Sequence, residues 1–192
     1  MAKKGDAVKG TFALNASYQL LDYYNDYFGV QYPLPKLDHI AVPGAGGFGA
    51  MENWGAIFTF EASLLLDPAT SNVSDQQRVF TTAAHEIAHQ WFGNLVTLAW
   101  WDDLWLNESF ASWLGDKITD QVQPAWGWHT SVQRARASAM RADRLATARR
   151  IEQPVLQDED MGNLWDAITY DKGQVVLAMF EAWTGPEAFQ AG

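Results

Sequence analysis

The sequence predicts an α+β fold, with strand and helix mixed in its first half and helix almost throughout its second. Three observations carry this. Long segments place apolar residues three and four apart, the period of a helix buried on one face. Short β-branched and aromatic runs bounded by proline and glycine lie among the first of these segments. After Trp105 no further strand-like run occurs. At 192 residues, 48% of them hydrophobic, the chain is long enough for one substantial core. One domain over 1–192 is expected, with a mixed lobe at about 10–95 and a helical lobe at about 96–192.

The elements follow in order. Leu14, Tyr18, Leu21, Tyr24, Tyr27 and Phe28 recur at helical spacing, and Gly29 stops the pattern. "QYPLPKL" is a proline-punctuated turn, and "DHIAVPG" a short strand ended by Pro43 and Gly44. A loop at "GAGG" leads to "GFGAMENWGAIFTF", Gly47 to Phe60, expected as a strand, with a further short strand at Leu64 to Leu66. "DPATSNVSDQQ" is a loop whose Ser74 and Gln77 have capping-box spacing. The helix it opens carries "HEIAHQWFGN" and is expected to end near Gly93. "LVTLAWWDDLW" is an extended connection, followed by helices at about Leu106 to Val122, Trp126 to Ala146 and Ala167 to Trp183.

Composition excludes several classes of function. A formal charge of −10, from 23 acidic against 13 basic residues, opposes nucleic acid and anionic membranes as partners. Arg134, Arg136, Arg141, Arg144, Arg149 and Arg150 fall in one segment and read as a solvated helix face. No cysteine is present, which rules out disulfides and thiolate metal sites. No apolar run approaches membrane-spanning length, and "MAKKGDAVKG" lacks the apolar stretch of a signal peptide. A soluble protein is expected, in the cytoplasm ahead of the periplasm or exterior. The ten tryptophans read as core.

Two features point to chemistry. His85 and His89, four apart on a helix, share one face, so both imidazoles can reach a single ion while Glu86 addresses a water on it. Nitrogen ligands with an open fourth position suit one Zn2+ ion. A catalytic zinc takes a third protein ligand, and Glu108, in "WLNESFASWL", can be returned by an antiparallel second helix. Glu52 is the second feature. A carboxylate in so apolar a segment either reaches solvent or meets a positive partner.

Taken together, "GAMENWG", "HEIAHQWFGN", "WLNESFASW" and "ITYDKG" resemble the zinc aminopeptidases of the aminopeptidase N (alanyl aminopeptidase) type, which are gluzincins. The likeness runs from about Gly10 to the end. It implies a thermolysin-like catalytic domain, in which a small mixed sheet lies beside the zinc helix and a mostly helical lobe follows. It implies that His85, His89 and Glu108 ligate zinc, that Glu86 is the general base, and that Tyr170 stabilises the transition state. Gly49, Ala50, Met51, Glu52 and Asn53 would bind substrate, Glu52 anchoring its free α-amino group and Gly49 and Ala50 touching its main chain.

The expected activity is therefore hydrolysis of the N-terminal bond of peptides with a free N-terminus. Family members are several times longer, so the chain resembles a catalytic core cut from a larger protein, and surfaces exposed by truncation would favour self-association. The alternatives are a thermolysin-type endopeptidase, an epoxide hydrolase relative, disfavoured by Ala50, and an inactive zinc- or peptide-binding fragment. His39 and His129 have no ligand partner at a recognised spacing and are not expected to bind metal.

Overall fold

The computed structural model describes residues 1–44 and 48–192, and the expected "GAGG" loop lies largely outside them, at 45–47. Strands and helices are combined as the α+β reading requires. The chain forms two compact units, Met1–Asn94 and Leu95–Gly192.

In the first unit, α1 (Thr11–Phe28) is an amphipathic helix that stops at Gly29, as expected. Its buried face differs from the expected one. Ala13, Ala16, Ser17, Leu20 and Tyr24 are buried, whereas Leu14 and Tyr18 are exposed. Both faces carry residues at helical spacing, and the smaller alanines win because they allow close packing against a second helix. That helix, α2 (Val73–Ala88), receives a hydrogen bond from the Tyr24 hydroxyl at the Ala84 carbonyl, 2.7 Å. Trp91 stacks on Phe28 with ring centroids 5.5 Å apart, and its indole N–H donates to the Val30 carbonyl.

The sheet has three strands in the order β1 (Asp38–Val42), β3 (Ala56–Phe60), β2 (Ala50–Met51), with β1 and β3 parallel and β2 antiparallel to β3. The single strand expected over Gly47 to Phe60 is thus two strands and a turn. Gly55 makes the turn: its φ is +74°, and a Cβ there would lie 2.8 Å from Leu34. The strand expected at Leu64 to Leu66 is absent. Glu61–Ser63 form a 3-10 turn, and Leu64 and Leu66 pack with Ala13 and Val79. Their burial comes from side-chain packing, not strand pairing, and a short apolar run does not distinguish the two.

Helix α2 is capped by Asn72, not Ser74. The Asn72 side chain accepts from the Ser74 and Asp75 N–H groups, and the Asp75 carboxylate accepts from the Asn72 N–H. The helix ends at Ala88, short of Gly93.

The second unit is helical: α3 (Leu104–Val122), α4 (His129–Asp143), α5 (Gly173–Thr184) and α6 (Pro186–Ala191). Helix α3 packs on α5, and Leu104, Val155 and Leu164 form a buried cluster beside its start. The connection before α3 is closed by a 3-10 turn, Trp101–Asp103, where an extended segment was expected. The segment before α5 is a π-helical turn, Ile168–Lys172. Tryptophan was over-assigned to the core. Trp91 and Trp113 are buried, but Trp54, Trp100, Trp101, Trp165 and Trp183 are exposed. Among the described residues no helix is long and apolar enough to cross a membrane.

Candidate active site

Helix α2 buries a polar face at its C-terminal end. Glu86, His89 and Gln90 are all buried there, in a stretch that otherwise buries alanine, isoleucine and tryptophan. Buried polar side chains need partners, and those of His89 and Gln90 are specific. The His89 Nδ1 lies 3.1 Å from the Phe92 carbonyl. A carbonyl only accepts, so Nδ1 carries the proton and the Nε2 lone pair is left for a metal or another donor. That Nε2 is 3.1 Å from the Nε2 of His85, one helical turn back. Two imidazole nitrogens converging on one point suit a borderline-soft divalent ion.

Gln90 joins the helix to the sheet. Its Oε1 accepts the Gly55 N–H at 3.1 Å, and its Nε2 donates to the carbonyls of Glu52 (3.0 Å) and Glu86 (3.3 Å). Asn94 adds a second bond to the Glu52 carbonyl, 2.8 Å. Glu52 therefore stands just beyond β2, its main chain tied to the segment that ends α2, and its half-buried side chain is not in a strand interior. This resolves the cost of a carboxylate in an apolar strand. The apolar residues belong to β2 and β3, and the charge belongs to the turn between them.

Strand β2 is an edge of the sheet, so one side of its backbone is directed away from β3. The Gly49 carbonyl is committed to β3 through the Phe60 N–H, 3.1 Å. Met51 and Asn53 are exposed, and Ala50 is half-buried. A Cβ at Gly49 would make only ordinary contacts, 3.7 Å from Ser63 and 3.8 Å from Thr82, so the protein's own packing leaves room there for a side chain.

In the second unit, Glu108 is buried on the first turns of α3, and Ser109 beside it is fully buried. The Ser109 hydroxyl donates to the Thr169 carbonyl, the residue before Tyr170. Gly173 lets these segments approach, since a Cβ there would fall 1.8 Å from the Ser109 Oγ and 3.0 Å from the Trp105 ring. Tyr170 itself is half-buried in the π-helical turn, its ring 6.5 Å from that of Trp165. Such turns widen a helix by one residue and recur at functional positions.

Arg149 corrects the reading of the arginine segment. Arg134, Arg136, Arg141, Arg144 and Arg150 are exposed, as a solvated face requires. The Arg149 side chain is only 15% exposed and forms a two-pronged pair with Asp166, at 3.1 and 2.6 Å. Its Nη2 also donates to the Thr169 hydroxyl, 2.6 Å.

His85 and His89 thus offer two ligand atoms from the first unit, and Glu108 is a buried carboxylate of the second. His129, in the second unit, pairs with Asp120 at 3.6 Å. His39 stands in β1, its Nε2 2.9 Å from the Ser17 hydroxyl, and burial pushes its pKa down to about 4.

Sequence reasoning missed Gln90, Asn94, Ser109, Arg149 and Asp166. Gln90 carried a signal, lying one turn after Glu86 on the same helical face as a polar residue within an apolar stretch. Asp166 carried a local one, an aspartate placed to accept from the N–H groups two and three residues on, whereas Asn94, Ser109 and Arg149 have side-chain partners distant in sequence.

Residues 12–192 match the model of the Peptidase family M1 domain. "Probable aminopeptidase 2" of Sulfurisphaera tokodaii is 46% identical over 98% of this chain and 24% of its own length. "Leucyl aminopeptidase" of Saccharolobus solfataricus is 44% identical over 98% and 24%. "Aminopeptidase M1" of Arabidopsis thaliana is 44% identical over 97% and 21%. The chain thus spans about a fifth to a quarter of the length of these curated relatives.

Proposed function

The chain belongs to peptidase family M1, and from that premise we propose that it carries the catalytic centre of a zinc aminopeptidase acting on peptides with a free N-terminus. The names of the relatives support this class of reaction. The observation that carries the reading is the position of Glu52. Its carboxylate stands at the end of an edge strand whose main chain is tied by Gln90 and Asn94 to the segment that ends the histidine helix.

Each residue then has a role that follows from its chemistry. His85, His89 and Glu108 hold the ion. Zinc in such a two-histidine, one-carboxylate set acts as a Lewis acid and lowers the pKa of a bound water. Glu86, one residue past His85 on the same helix, accepts the proton of the attacking water and delivers it to the departing amine. The Tyr170 hydroxyl donates a hydrogen bond to the oxyanion that attack creates. Glu52 pairs with the substrate ammonium, and the outer side of Gly49 and Ala50 lies along its backbone, as an added strand would. An endopeptidase has no need of that carboxylate, because its substrate continues past the position of the amine.

The test uses the chain loaded with zinc and two chromogenic amides that differ only in an N-terminal blocking group. Hydrolysis of the free amide and not of the blocked one is expected. Glu52→Gln is expected to retain the metal and to lose the preference. Full preference for the unblocked substrate in Glu52→Gln would show the anchoring role to be wrong. Retention of one zinc per chain with no hydrolysis of either amide would reduce the chain to a metal-binding fragment.

A further inference from the structure

The backbone around Tyr170 is held from several directions by Ser109, Arg149, Asp166 and Thr169, residues outside the proposed catalytic set. Thr169, next to it, is 1% exposed and has every polar group engaged. Its N–H donates to Asp166 Oδ1 at 3.1 Å, its hydroxyl accepts from Arg149 Nη2 at 2.6 Å, and its carbonyl accepts the Ser109 hydroxyl. The Tyr170 N–H donates to the Asp166 carbonyl, 3.1 Å. Asp166 Oδ1 also accepts the Ile168 N–H at 2.9 Å, so one carboxylate oxygen gathers the two N–H groups that open the π-helical turn.

Arg149 fixes that carboxylate. Its fork meets both Asp166 oxygens, and the same guanidinium donates to the carbonyls of Arg150, Ile151 and Leu164 at 2.9–3.3 Å. A guanidinium is rigid and planar, so contacts on three of its nitrogens leave it one orientation. For simple stability this is a costly arrangement, since the π turn forgoes regular helical bonds and the Arg149 guanidinium, 15% exposed beside an Asp166 that is 43% exposed, gives up part of its hydration. It is intelligible if the position of one side chain has to be set closely.

We propose that Arg149 and Asp166 are positioning residues for the Tyr170 hydroxyl, acting through Thr169 and the π-helical turn. The proposal rests on the reading of Tyr170 as the oxyanion donor. A hydroxyl displaced by about 1 Å loses on the order of a hundredfold in rate. Binding of the substrate ammonium, which falls to Glu52, is not involved.

The experiment uses the full chain, with Arg149→Gln and Asp166→Asn placed in the wild type and in Tyr170→Phe. In the wild type, kcat is expected to fall by about ten- to a hundredfold for either variant, with KM for the free amide and the zinc content unchanged within twofold. In Tyr170→Phe the same substitutions are expected to cost less than twofold, because the group they position is gone. An equal loss in both backgrounds would overturn the proposal, since a residue serving only the stability of the unit lowers the rate whether or not the hydroxyl is present.

A second arm reads position without activity. Tyr170 is the only one of the six tyrosines that lies outside residues 18–32. With 3-fluorotyrosine incorporated, Arg149→Gln is expected to shift the Tyr170 fluorine resonance, identified by its loss in Tyr170→Phe, and to leave the other five in place. An unmoved Tyr170 resonance, or collapse of all six, would overturn the proposal. If the zinc-loaded wild type hydrolyses neither amide, the aminopeptidase reading fails, and the fluorine arm still decides whether Arg149 and Asp166 set the position of Tyr170.

Discussion

The two compact units hold the residues proposed for the site by different means. In the first, His85, Glu86 and His89 sit on a regular helix, and Glu52 is fixed through its main chain by Gln90 and Asn94. Position there comes from periodicity and from backbone recognition. In the second, Tyr170 leaves helical geometry and is held by an ion pair, a serine hydroxyl and a carboxylate that gathers N–H groups. Position there comes from side chains brought together over long sequence distances. A regular element suits groups that must share one face. A built turn suits a single group whose height and direction no regular element supplies.

The largest effect that sharpens this comparison is at Glu86. Glu86→Gln is expected to lower kcat by about a thousandfold or more with the metal retained, because it removes the proton acceptor and keeps the shape. Tyr170→Phe is expected to cost about 3 to 4 kcal/mol of barrier, again with the metal retained. Steady-state kinetics beside metal analysis checks both. A larger loss at Tyr170 than at Glu86 would reverse the comparison and put the weight of catalysis in the built turn.

The same difference decides how much could be read from the sequence. The convergence of His85 and His89 was legible because their spacing, four apart on a patterned helix, itself brings the two imidazoles together. The existence of the helices was legible for the same reason, though α2 ends five residues before Gly93 and the π turn ahead of α5 was read as regular helix. Glu52 was legible as an anomaly, but its setting was not: a strand interrupted by a turn at Gly55 looks like one apolar run until the antiparallel pairing of β2 and β3 is known. Leu64 and Leu66 misled in the same way, since they are buried by packing without being paired. Arg149 was read as one more solvated arginine, because nothing near it announces Asp166, 17 residues on. Contacts of that kind are set by tertiary structure and have no period to detect.

The next effect lies in the first unit. The Ser17 hydroxyl donates to the Ala13 carbonyl, so it accepts from His39, whose Nε2 must carry the hydrogen. The other nitrogen, Nδ1, is buried and has no hydrogen-bond partner among the described residues, so a second proton there would be unpaired. With its pKa held at about 4 against 6.5, His39 folds neutral, while the unfolded chain takes up a proton first as pH falls. This contribution is complete above about pH 6.5 and is lost as pH drops toward 4, by about 3 kcal/mol in all. Urea unfolding at pH 7 and 4.5 measures it. His39→Gln, which keeps a donor for Ser17, is expected to flatten that part of the pH dependence. Equal pH dependence in the two proteins would assign the acid sensitivity elsewhere.

Gln90→Ala is expected to cost about 1 to 3 kcal/mol of stability, by leaving the Gly55 N–H without its acceptor. Its more telling effect is on binding. The Glu52 carbonyl keeps Asn94, so the anchor is loosened without being lost, and KM for the free amide is expected to rise more than kcat falls. Arg149→Gln in the second unit has the opposite signature, a fall in kcat at constant KM. If both variants moved the same parameter, the division between a unit that holds the amine and a unit that steadies the oxyanion would not stand.

The smallest effect tests whether stability and site geometry can be separated within one helix. Asn72 caps α2 at the end remote from His85 and His89, accepting from the Ser74 and Asp75 N–H groups. Asn72→Ala is expected to destabilise the protein by about 1 kcal/mol. Zinc affinity and kcat are expected to stay within twofold, because the histidine pair is positioned by the last turns of the helix, the Phe92 carbonyl and the packing of Trp91. Thermal unfolding and metal titration of this variant measure the two quantities separately. A weakened zinc site would mean that the whole length of α2 acts as one rigid lever. The first unit would then depend on long-range support as much as the turn that carries Tyr170.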